Sequence, residues 1–392
     1  MTPRLALVLA GGGARGAYEA GVLRFVLGDL PKRIGRPIAA DLICGTSVGA
    51  INGAAIAAWN GDPTGTAELS AFWNNLACGD VYRFVAMDLL RSPMRMFRNR
   101  PSGELAWVDA GPLHELIREE FPWGQLHDVI DSGKLQALVL TATEVVTGRC
   151  VQFVDGQIEP DSMHSHYGIR RVFGRMKADH VLASCAIPFL FPPISIDNVP
   201  LVDGSLRQNT PLSPAVRMGA KGLLVVGTKR PKTPEERDGE DATKDPSTAF
   251  LLGKALNALL LDPVHTELRY IDLINDILNC GEEAYGPEFL KKLNTGLGHK
   301  LSRELRPIHT LQIHPSEDLG KLASAVWNPK ELQATKGTKI MLSTVAGESE
   351  EADLLSYLMF DATYTRVIED LGYTDAKKQE TEIIRFLEKT LD

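Results

Sequence analysis

The sequence predicts an α/β protein with a mainly parallel central sheet. Short apolar runs alternate with helical patterns up to about Thr228, which is typical of parallel strands joined by helices. Two of these runs end in glycine-rich corners, as strands do when they turn directly into a helix. The candidate strands are Leu5 to Leu9, Leu42 to Cys44, Ala137 to Ala142, Val151 to Val154, Val199 to Val202 and Gly222 to Gly227.

Beyond Thr228 the pattern becomes mostly helical. The stretch from Lys229 to Ser247 is polar, charged and contains prolines, which is typical of a solvated loop. Because 392 residues exceed the usual size of one domain, we expect an α/β domain at 1–230, a charged loop at 231–249 and a mostly helical region at 250–392 packed on that domain. The candidate elements there are helices at Phe250 to Leu261, Val264 to Leu278, Glu350 to Leu371 and Thr374 to Leu391, and a strand at Thr310 to Ile313.

The second glycine-rich corner, residues 45–49, has the G-x-S-x-G form of a nucleophile elbow. It lies between an apolar run and the helix-forming stretch Ala50 to Trp59. A strained strand-to-helix turn of this kind lifts a serine hydroxyl above the sheet edge, and glycines flank the serine because larger side chains would collide. The pentapeptide alone also fits an ordinary tight turn, but its position favours the elbow. Its residues are Gly45, Thr46, Ser47, Val48 and Gly49.

The first corner, residues 11–16, fits an oxyanion hole. Backbone N–H groups at a helix N-terminus suit the oxyanion that forms when a serine attacks an ester carbonyl. The same glycines also match the G-x-G-x-x-G fingerprint of dinucleotide binding, which needs an acidic residue at the end of the second strand. Asp41 stands at the beginning of that strand instead, so the oxyanion hole is favoured. The corner consists of Gly11, Gly12, Gly13, Ala14, Arg15 and Gly16.

Asp203 is the candidate base. It directly follows the apolar run Val199 to Val202 and precedes Gly204 and Ser205, so a sharp turn at the strand end is expected. A serine hydroxyl needs a proton acceptor, and burial raises the proton affinity of a carboxylate toward a useful value. An aspartate that caps its own turn is the alternative, since Asp-Gly pairs commonly do this.

These three motifs, in this order, resemble those of the patatin-like phospholipase family. The glycine loop, the elbow and the Asp203-Gly204 pair match the family pattern, except that Ser205 stands where Ala or Gly is usual. The stretches 140–144, 183–188 and 209–211 are also similar to the family pattern, so the resemblance spans about residues 5–228. It implies a three-layer α/β/α sandwich and a Ser/Asp dyad that hydrolyses acyl esters of lipids without a histidine, a metal or another cofactor.

Position by position, the resemblance makes Ser47 the nucleophile and Asp203 the base. Backbone N–H groups of the loop from Gly12 to Arg15 would form the oxyanion hole. The side chain of Arg15 has two interpretations. In the first, its guanidinium is a fixed charge that lies near the oxyanion or near the phosphate headgroup of the substrate. In the second, it forms a salt bridge that holds the loop in shape.

Charge and composition restrict the class of protein. A net charge of −8 does not favour nucleic acid as a partner, because binding to a nucleic acid demands a broad basic surface on the protein. The five cysteines are scattered without metal-ligand spacing, which indicates reduced thiols. The sequence contains neither a signal peptide pattern nor an apolar run long enough to span a membrane. We therefore expect a cytoplasmic protein, with peripheral contact to the inner membrane surface as an open alternative.

Two segments are candidates for lipid contact. Arg83 to Arg100 interleaves arginines with methionine, leucine and phenylalanine, which suits an anionic membrane surface or a lid over an acyl chain. A helix that packs its apolar side on the core, with its arginines in water, is the favoured alternative. Phe250 to Leu261 is apolar almost all round. Because that run is too short to span a bilayer, burial is favoured over membrane insertion.

The resulting hypothesis is a serine lipid acyl hydrolase acting on phospholipids or lysophospholipids. A Ser-Asp-His triad esterase is an alternative, because His265, His309 and His314 follow Asp203 in the order that α/β-hydrolase triads use. Acyl transfer to another alcohol is a second alternative, since the same acyl-enzyme serves both reactions. A non-catalytic lipid-binding protein is the alternative from another class.

Overall fold

The computed structural model describes residues 3–84, 108–157, 168–188, 190–231, 264–298, 304–346 and 352–391. Most of Arg83 to Arg100, the charged loop from residue 232 onward and all of Phe250 to Leu261 lie outside these ranges. The predictions made for those segments therefore stay predictions.

A nine-stranded sheet forms the centre of the molecule. Its main order is β11-β10-β1-β2-β5-β6-β7, and β9 pairs with β5 and β8. The pairs from β11 to β5 and the β6–β7 pair are parallel, whereas β5–β6, β5–β9 and β8–β9 are antiparallel. The strands are β1 Leu5–Leu9, β2 Leu42–Thr46, β3 Arg83–Phe84, β4 Val108–Asp109, β5 Ala137–Glu144, β6 Cys150–Gly156, β7 Ile169–Phe173, β8 Ile194–Ile196, β9 Val199–Asp203, β10 Gly222–Val226 and β11 His309–Ile313; β3 and β4 form a separate pair.

Helices cover both faces of this sheet. Alternate residues of β1 point to opposite layers, with Leu5, Leu7 and Leu9 in one apolar cluster and Ala6 and Val8 in the other. A mainly parallel α/β/α sandwich is thereby confirmed. The described helices are α1 Gly16–Leu23, α2 Leu30–Ile34, α3 Val48–Ala58, α4 Thr64–Asn75, α5 Cys78–Val81, α6 Gly111–Glu115, α7 Trp123–Asp131, α8 Ala178–Ser184, α9 Leu212–Met218, α10 Val264–Tyr285, α11 Phe289–Leu297, α12 Leu319–Val326, α13 Lys336–Val345, α14 Ala352–Leu358, α15 Ala362–Lys378 and α16 Glu380–Leu391.

The predicted boundaries of the last helices are wrong. The predicted helix Glu350 to Leu371 is divided at Asp361, whose carboxylate accepts the Thr363 N–H and caps the start of α15. The predicted break near Gly372 lies inside α15. A Cβ at Gly372 would stand 2.1 Å from the Tyr18 carbonyl oxygen, so this glycine permits the close crossing of α15 over α1 instead of ending a helix.

The sheet brings the ends of three strands together. The parallel strands β1 and β2 end at the same edge, and the glycine loop and the elbow begin there. The antiparallel strand β9 reaches this edge because Asp203 pairs with Ala142 near the end of β5, next to Thr141, which pairs with Thr46. No helix within the described ranges is long and apolar enough to cross a bilayer.

Candidate active site

Ser47 stands on a strained turn between β2 and α3. Its backbone has φ 54° and ψ −125°, a conformation that non-glycine residues rarely adopt. A Cβ at Gly45 would lie 2.2 Å from the Gly49 carbonyl oxygen, and one at Gly49 would lie 2.5 Å from the Leu9 carbonyl oxygen. Both flanking glycines are therefore required by close backbone packing, and the predicted elbow geometry is present.

The Ser47 hydroxyl donates a hydrogen bond to Asp203. The distance from Oγ to Oδ2 is 2.6 Å, and both side chains are buried. The other oxygen, Oδ1, accepts the Ser205 N–H at 2.8 Å. Burial raises the pKa of Asp203 to about 6, against the lowering effect of these hydrogen bonds. Asp203 thus caps its own turn and contacts the serine at the same time.

The backbone of Ser47 is held by residues to which no role was assigned from sequence. The Ser47 N–H donates to Ser184 Oγ at 2.8 Å, and the Ser184 hydroxyl donates to the Thr141 carbonyl at 2.6 Å. The Cys185 thiol donates to the Ser47 carbonyl at 3.2 Å. Both side chains come from the stretch 183–188, which resembles the family pattern. The sequence therefore showed this motif, but its role in holding the Ser47 backbone is seen only from the tertiary contacts.

The glycine loop abuts the serine. A Cβ at Gly11 would lie 3.2 Å from the Ser47 Cβ, and Gly13 has φ +57°, so both positions favour glycine. The Thr228 hydroxyl donates to the Gly11 carbonyl at 2.7 Å and fixes the start of the loop. The N–H groups of Gly12, Gly13 and Ala14 have no acceptor within the part of the chain that the structure describes.

Gly16, Gly204 and Thr46 contact neighbouring elements through close packing or a hydrogen bond. Gly16 begins α1 and lies against Val48, because a Cβ there would stand 2.1 Å from the Val48 Cγ2. Gly204 lies against the Thr141 carbonyl, where a Cβ would stand 2.4 Å away. The Thr46 hydroxyl donates to the Gln208 carbonyl at 2.8 Å. These contacts hold the ends of β2, β5 and β9 against one another.

The side chain of Arg15 turns toward the C-terminal region. Its guanidinium donates to Asp353 Oδ1 at 2.7 Å and to Ser356 Oγ at 2.8 and 2.6 Å, and lies over the Tyr357 ring. All three partners belong to α14. Of the two interpretations of Arg15, these contacts favour the salt bridge that holds the loop in shape.

Glu19 is a buried carboxyl that joins the loop to the elbow helix. Its Oε1 accepts the Ala10 N–H at 2.8 Å, and its Oε2 accepts the Asn52 amide at 2.9 Å. Asn52 lies on α3 and accepts the Trp73 indole N–H at 2.9 Å. Burial raises the pKa of Glu19 to about 8. No sequence motif marks Glu19, because its partners become adjacent only in the folded chain.

A small apolar cavity of about 30 Å³ lies beside the serine. Ser47 and Gly13 form part of its wall. The apolar side chains around it include Val48, Ile51, Phe72, Trp73, Leu76, Val81, Leu113, Ile187, Phe191 and Phe360. An uncharged acyl group suits such surroundings better than a charged one does.

Histidine does not complete a triad within the described residues. No described histidine is hydrogen-bonded to Ser47 or to Asp203. His309 is exposed at the start of β11, and His314 Nδ1 lies 3.3 Å from the Pro315 carbonyl. The side chain of His265 lies outside the described set. The candidate dyad is thus formed by the serine and the aspartate alone in this part of the chain.

An elbow serine, a buried carboxylate and a glycine-rich loop at one sheet edge are the arrangement typical of serine hydrolases. The family model described as patatin-like phospholipase matches residues 7–216, more than half of the chain. The chain belongs to this family, and a lipid hydrolase is supported at family level.

Two solved structures are similar to this chain. VipD from Legionella pneumophila is 10% identical with a TM-score of 0.38, and the match covers 97% of this chain and 67% of VipD. Human GIVD cytosolic phospholipase A2 is 13% identical with a TM-score of 0.44, and the match covers 100% of this chain and 60% of the human chain. The chain thus spans less than two thirds of the length of the human protein. Among curated proteins, none matches the sequence significantly.

Proposed function

We propose that this protein is a serine lipid acyl hydrolase of the phospholipase A or lysophospholipase type, with Ser47 and Asp203 as its catalytic dyad. The observation that carries the proposal is the 2.6 Å hydrogen bond from the Ser47 hydroxyl to a buried carboxylate. A carboxylate whose pKa is raised to about 6 accepts a proton more readily than an ordinary aspartate does, yet is ionised at neutral pH.

In the proposed acylation step, Ser47 Oγ attacks the ester carbonyl carbon and its proton passes to Asp203 Oδ2. The carbonyl oxygen becomes an oxyanion, for which the N–H groups of Gly12, Gly13 and Ala14, which have no acceptor among the described residues, are the candidate donors. The bond from the carbonyl carbon to the leaving-group oxygen then breaks. Asp203 returns its proton to that oxygen, and the fatty acyl group is left esterified to Ser47.

In the proposed deacylation step, Asp203 takes a proton from water while the water oxygen attacks the acyl carbonyl. The bond to Ser47 Oγ breaks, and the proton returns to the serine. The products are a free fatty acid and the unchanged enzyme. An alcohol in place of water would give acyl transfer by the same steps.

Incubation with vesicles tests this proposal. Vesicles of phosphatidylcholine, with and without lysophosphatidylcholine, are incubated with the purified protein, and free fatty acids are identified by mass spectrometry. We expect release that grows with time and with protein concentration. A folded protein that releases no fatty acid from either lipid would contradict the proposed substrate class.

The pH dependence of hydrolysis follows from Asp203. Because the base must be ionised and its pKa is about 6, kcat/KM should fall about tenfold for each pH unit below that value and level off above it. Rates on a p-nitrophenyl ester between about pH 3.5 and about pH 8 measure the profile. An inflection near pH 4, typical of an exposed aspartate, would contradict the role given to burial.

The Glu19→Gln variant tests the link between loop and elbow. At about pH 9, above its pKa of about 8, Glu19 is an ionised carboxylate that accepts both the Ala10 N–H and the Asn52 amide, whereas glutamine presents one acceptor and one donor group. We expect kcat to fall by about tenfold with little change in KM, because misplaced loop donors affect the transition state more than substrate binding. Glu382→Gln, at an exposed position on α16, is the matched control. An equal rise in KM, with kcat unchanged, would show that Glu19 does not act through the loop.

A further inference from the structure

The glycine loop lies against a helix of the C-terminal region. A Cβ at Gly13 would collide with the Tyr357 carbonyl oxygen, so the loop backbone is in direct contact with the end of α14. Beside this contact the Arg15 side chain crosses to the same helix and is almost fully buried, with 3% of it exposed. The loop thus meets α14 through its backbone and through its one charged side chain.

Among the described residues, every hydrogen-bond partner of the Arg15 guanidinium lies on α14. Nε and Nη2 both donate to Ser356 Oγ, and Nη2 also donates to Asp353 Oδ1 at 2.7 Å. Because removing a charge from water costs free energy, a buried guanidinium is stable only where such partners replace the water. The helix therefore sets the position of Arg15, the residue that directly follows the candidate oxyanion donors at 12–14.

The end of α14 is itself held in place and continues to the serine. The Tyr82 hydroxyl donates to the Leu358 carbonyl at 2.7 Å, which fixes the last turn of the helix. Phe360 follows the helix, packs edge-on against the Tyr82 ring and lines the cavity beside Ser47. The segment 353–360 therefore contacts both the glycine loop and the wall of the candidate active site.

We propose that α14 completes the candidate oxyanion hole, with Asp353 and Ser356 as positioning residues that hold the loop N–H groups in place through Arg15. This inference rests on the proposed function. An oxyanion exists only after the serine has attacked, so displaced donors slow the reaction more than they weaken substrate binding. The match to the family model ends at residue 216, so these positioning residues lie outside the part of the chain that the family motifs identify.

The Asp353→Asn variant tests this role by steady-state kinetics. The amide keeps the shape of the side chain and removes its charge, and 40% of the side chain is exposed, so we expect the variant to fold. The kcat for p-nitrophenyl butyrate should fall about tenfold while KM stays within about twofold of wild type. Ser356→Ala removes the acceptor of two guanidinium donors and should show the same pattern.

Asp370→Asn is the matched control. Asp370 pairs with Arg24 at 3.1 Å, so this pair also joins the family-matching part of the chain to a C-terminal helix. Arg24, however, follows the end of α1 that is opposite to the glycine loop. We expect Asp370→Asn to keep the wild-type kcat. An equal fall in Asp370→Asn and Asp353→Asn would mean that the loss of any such pair weakens the enzyme, which overturns the positioning role.

A double-mutant cycle with Arg15→Lys is the decisive experiment, because lysine keeps the charge but not the forked donors of arginine. If Asp353 acts through Arg15, the two losses do not multiply, and the double variant has about the kcat of Arg15→Lys alone. Thermal midpoints establish that each variant is folded, and Ser356→Ala replaces Asp353→Asn in the cycle if the latter does not fold.

Two results overturn the positioning role alone. One is a wild-type kcat in folded Asp353→Asn and Ser356→Ala, and the other is a pair of losses that multiply in the double variant. Ester hydrolysis that persists at the wild-type rate in folded Ser47→Ala overturns the proposed function, and the positioning role with it.

Discussion

The Ser47→Ala variant is expected to lose ester hydrolysis by about 10⁴- to 10⁶-fold in kcat, because the group that forms the acyl-enzyme is gone. The loss should not come from unfolding. Among the described residues, Ser47 Oγ makes one hydrogen bond, to Asp203, and the Ser47 main-chain contacts to Ser184 and Cys185 remain in the variant. Initial rates on a p-nitrophenyl ester, together with the thermal midpoint, measure both quantities.

The control for this variant is Ser195→Ala, which removes an exposed hydroxyl on β8. It should hydrolyse the ester at the wild-type rate. Hydrolysis by folded Ser47→Ala within about tenfold of wild type would mean that another group carries the reaction.

Replacing Asp203 with asparagine is expected to lower kcat by about 10²- to 10⁴-fold, the range that a general base contributes. The amide preserves the shape of the side chain but does not take the serine proton. Asp197→Asn, in the exposed turn between β8 and β9, is the matched control and should retain activity.

The stability of the Asp203→Asn variant separates catalysis from folding. The folded pKa of Asp203, about 6, lies above its ordinary value, so the protonated form is favoured by folding and its stabilising contribution is lost as pH rises through about 6. Asparagine carries no such charge. At about pH 8 the thermal midpoint of the variant should therefore equal or exceed that of wild type. A much lower midpoint would indicate that the lost activity reflects unfolding.

The elbow at Ser47 and the glycine loop could be predicted because their constraints are local. Glycine is needed for close packing at Gly45 and Gly49 and for positive φ at Gly13. These requirements place glycines at fixed positions directly after a strand, and that pattern is recognisable in the sequence. The edge strand β7 was not predicted. Its sequence, Ile169–Phe173, includes two arginines and no residue of it is buried, so it lacks the apolar run of a central strand.

The supporting contacts could not be predicted because they join residues distant in sequence. Arg15 reaches Asp353 and Ser356, more than three hundred residues away, and neither interpretation of its side chain could be chosen without them. Glu19 resembles an ordinary helical glutamate until Asn52 and the Ala10 N–H are brought to it. The predicted gap between Leu371 and Thr374 was wrong, because the sequence does not distinguish a glycine that permits helix crossing from one that ends a helix.

The central claim is that Ser47 carries the acyl group during turnover. Acid quenching during hydrolysis of p-nitrophenyl palmitate, followed by peptide mapping by mass spectrometry, tests this claim most directly. We predict a palmitoyl adduct on Ser47 that forms in wild type, is absent from Ser47→Ala and disappears once substrate is exhausted. A palmitoyl adduct on any other residue that forms and decays at the rate of turnover would contradict the claim.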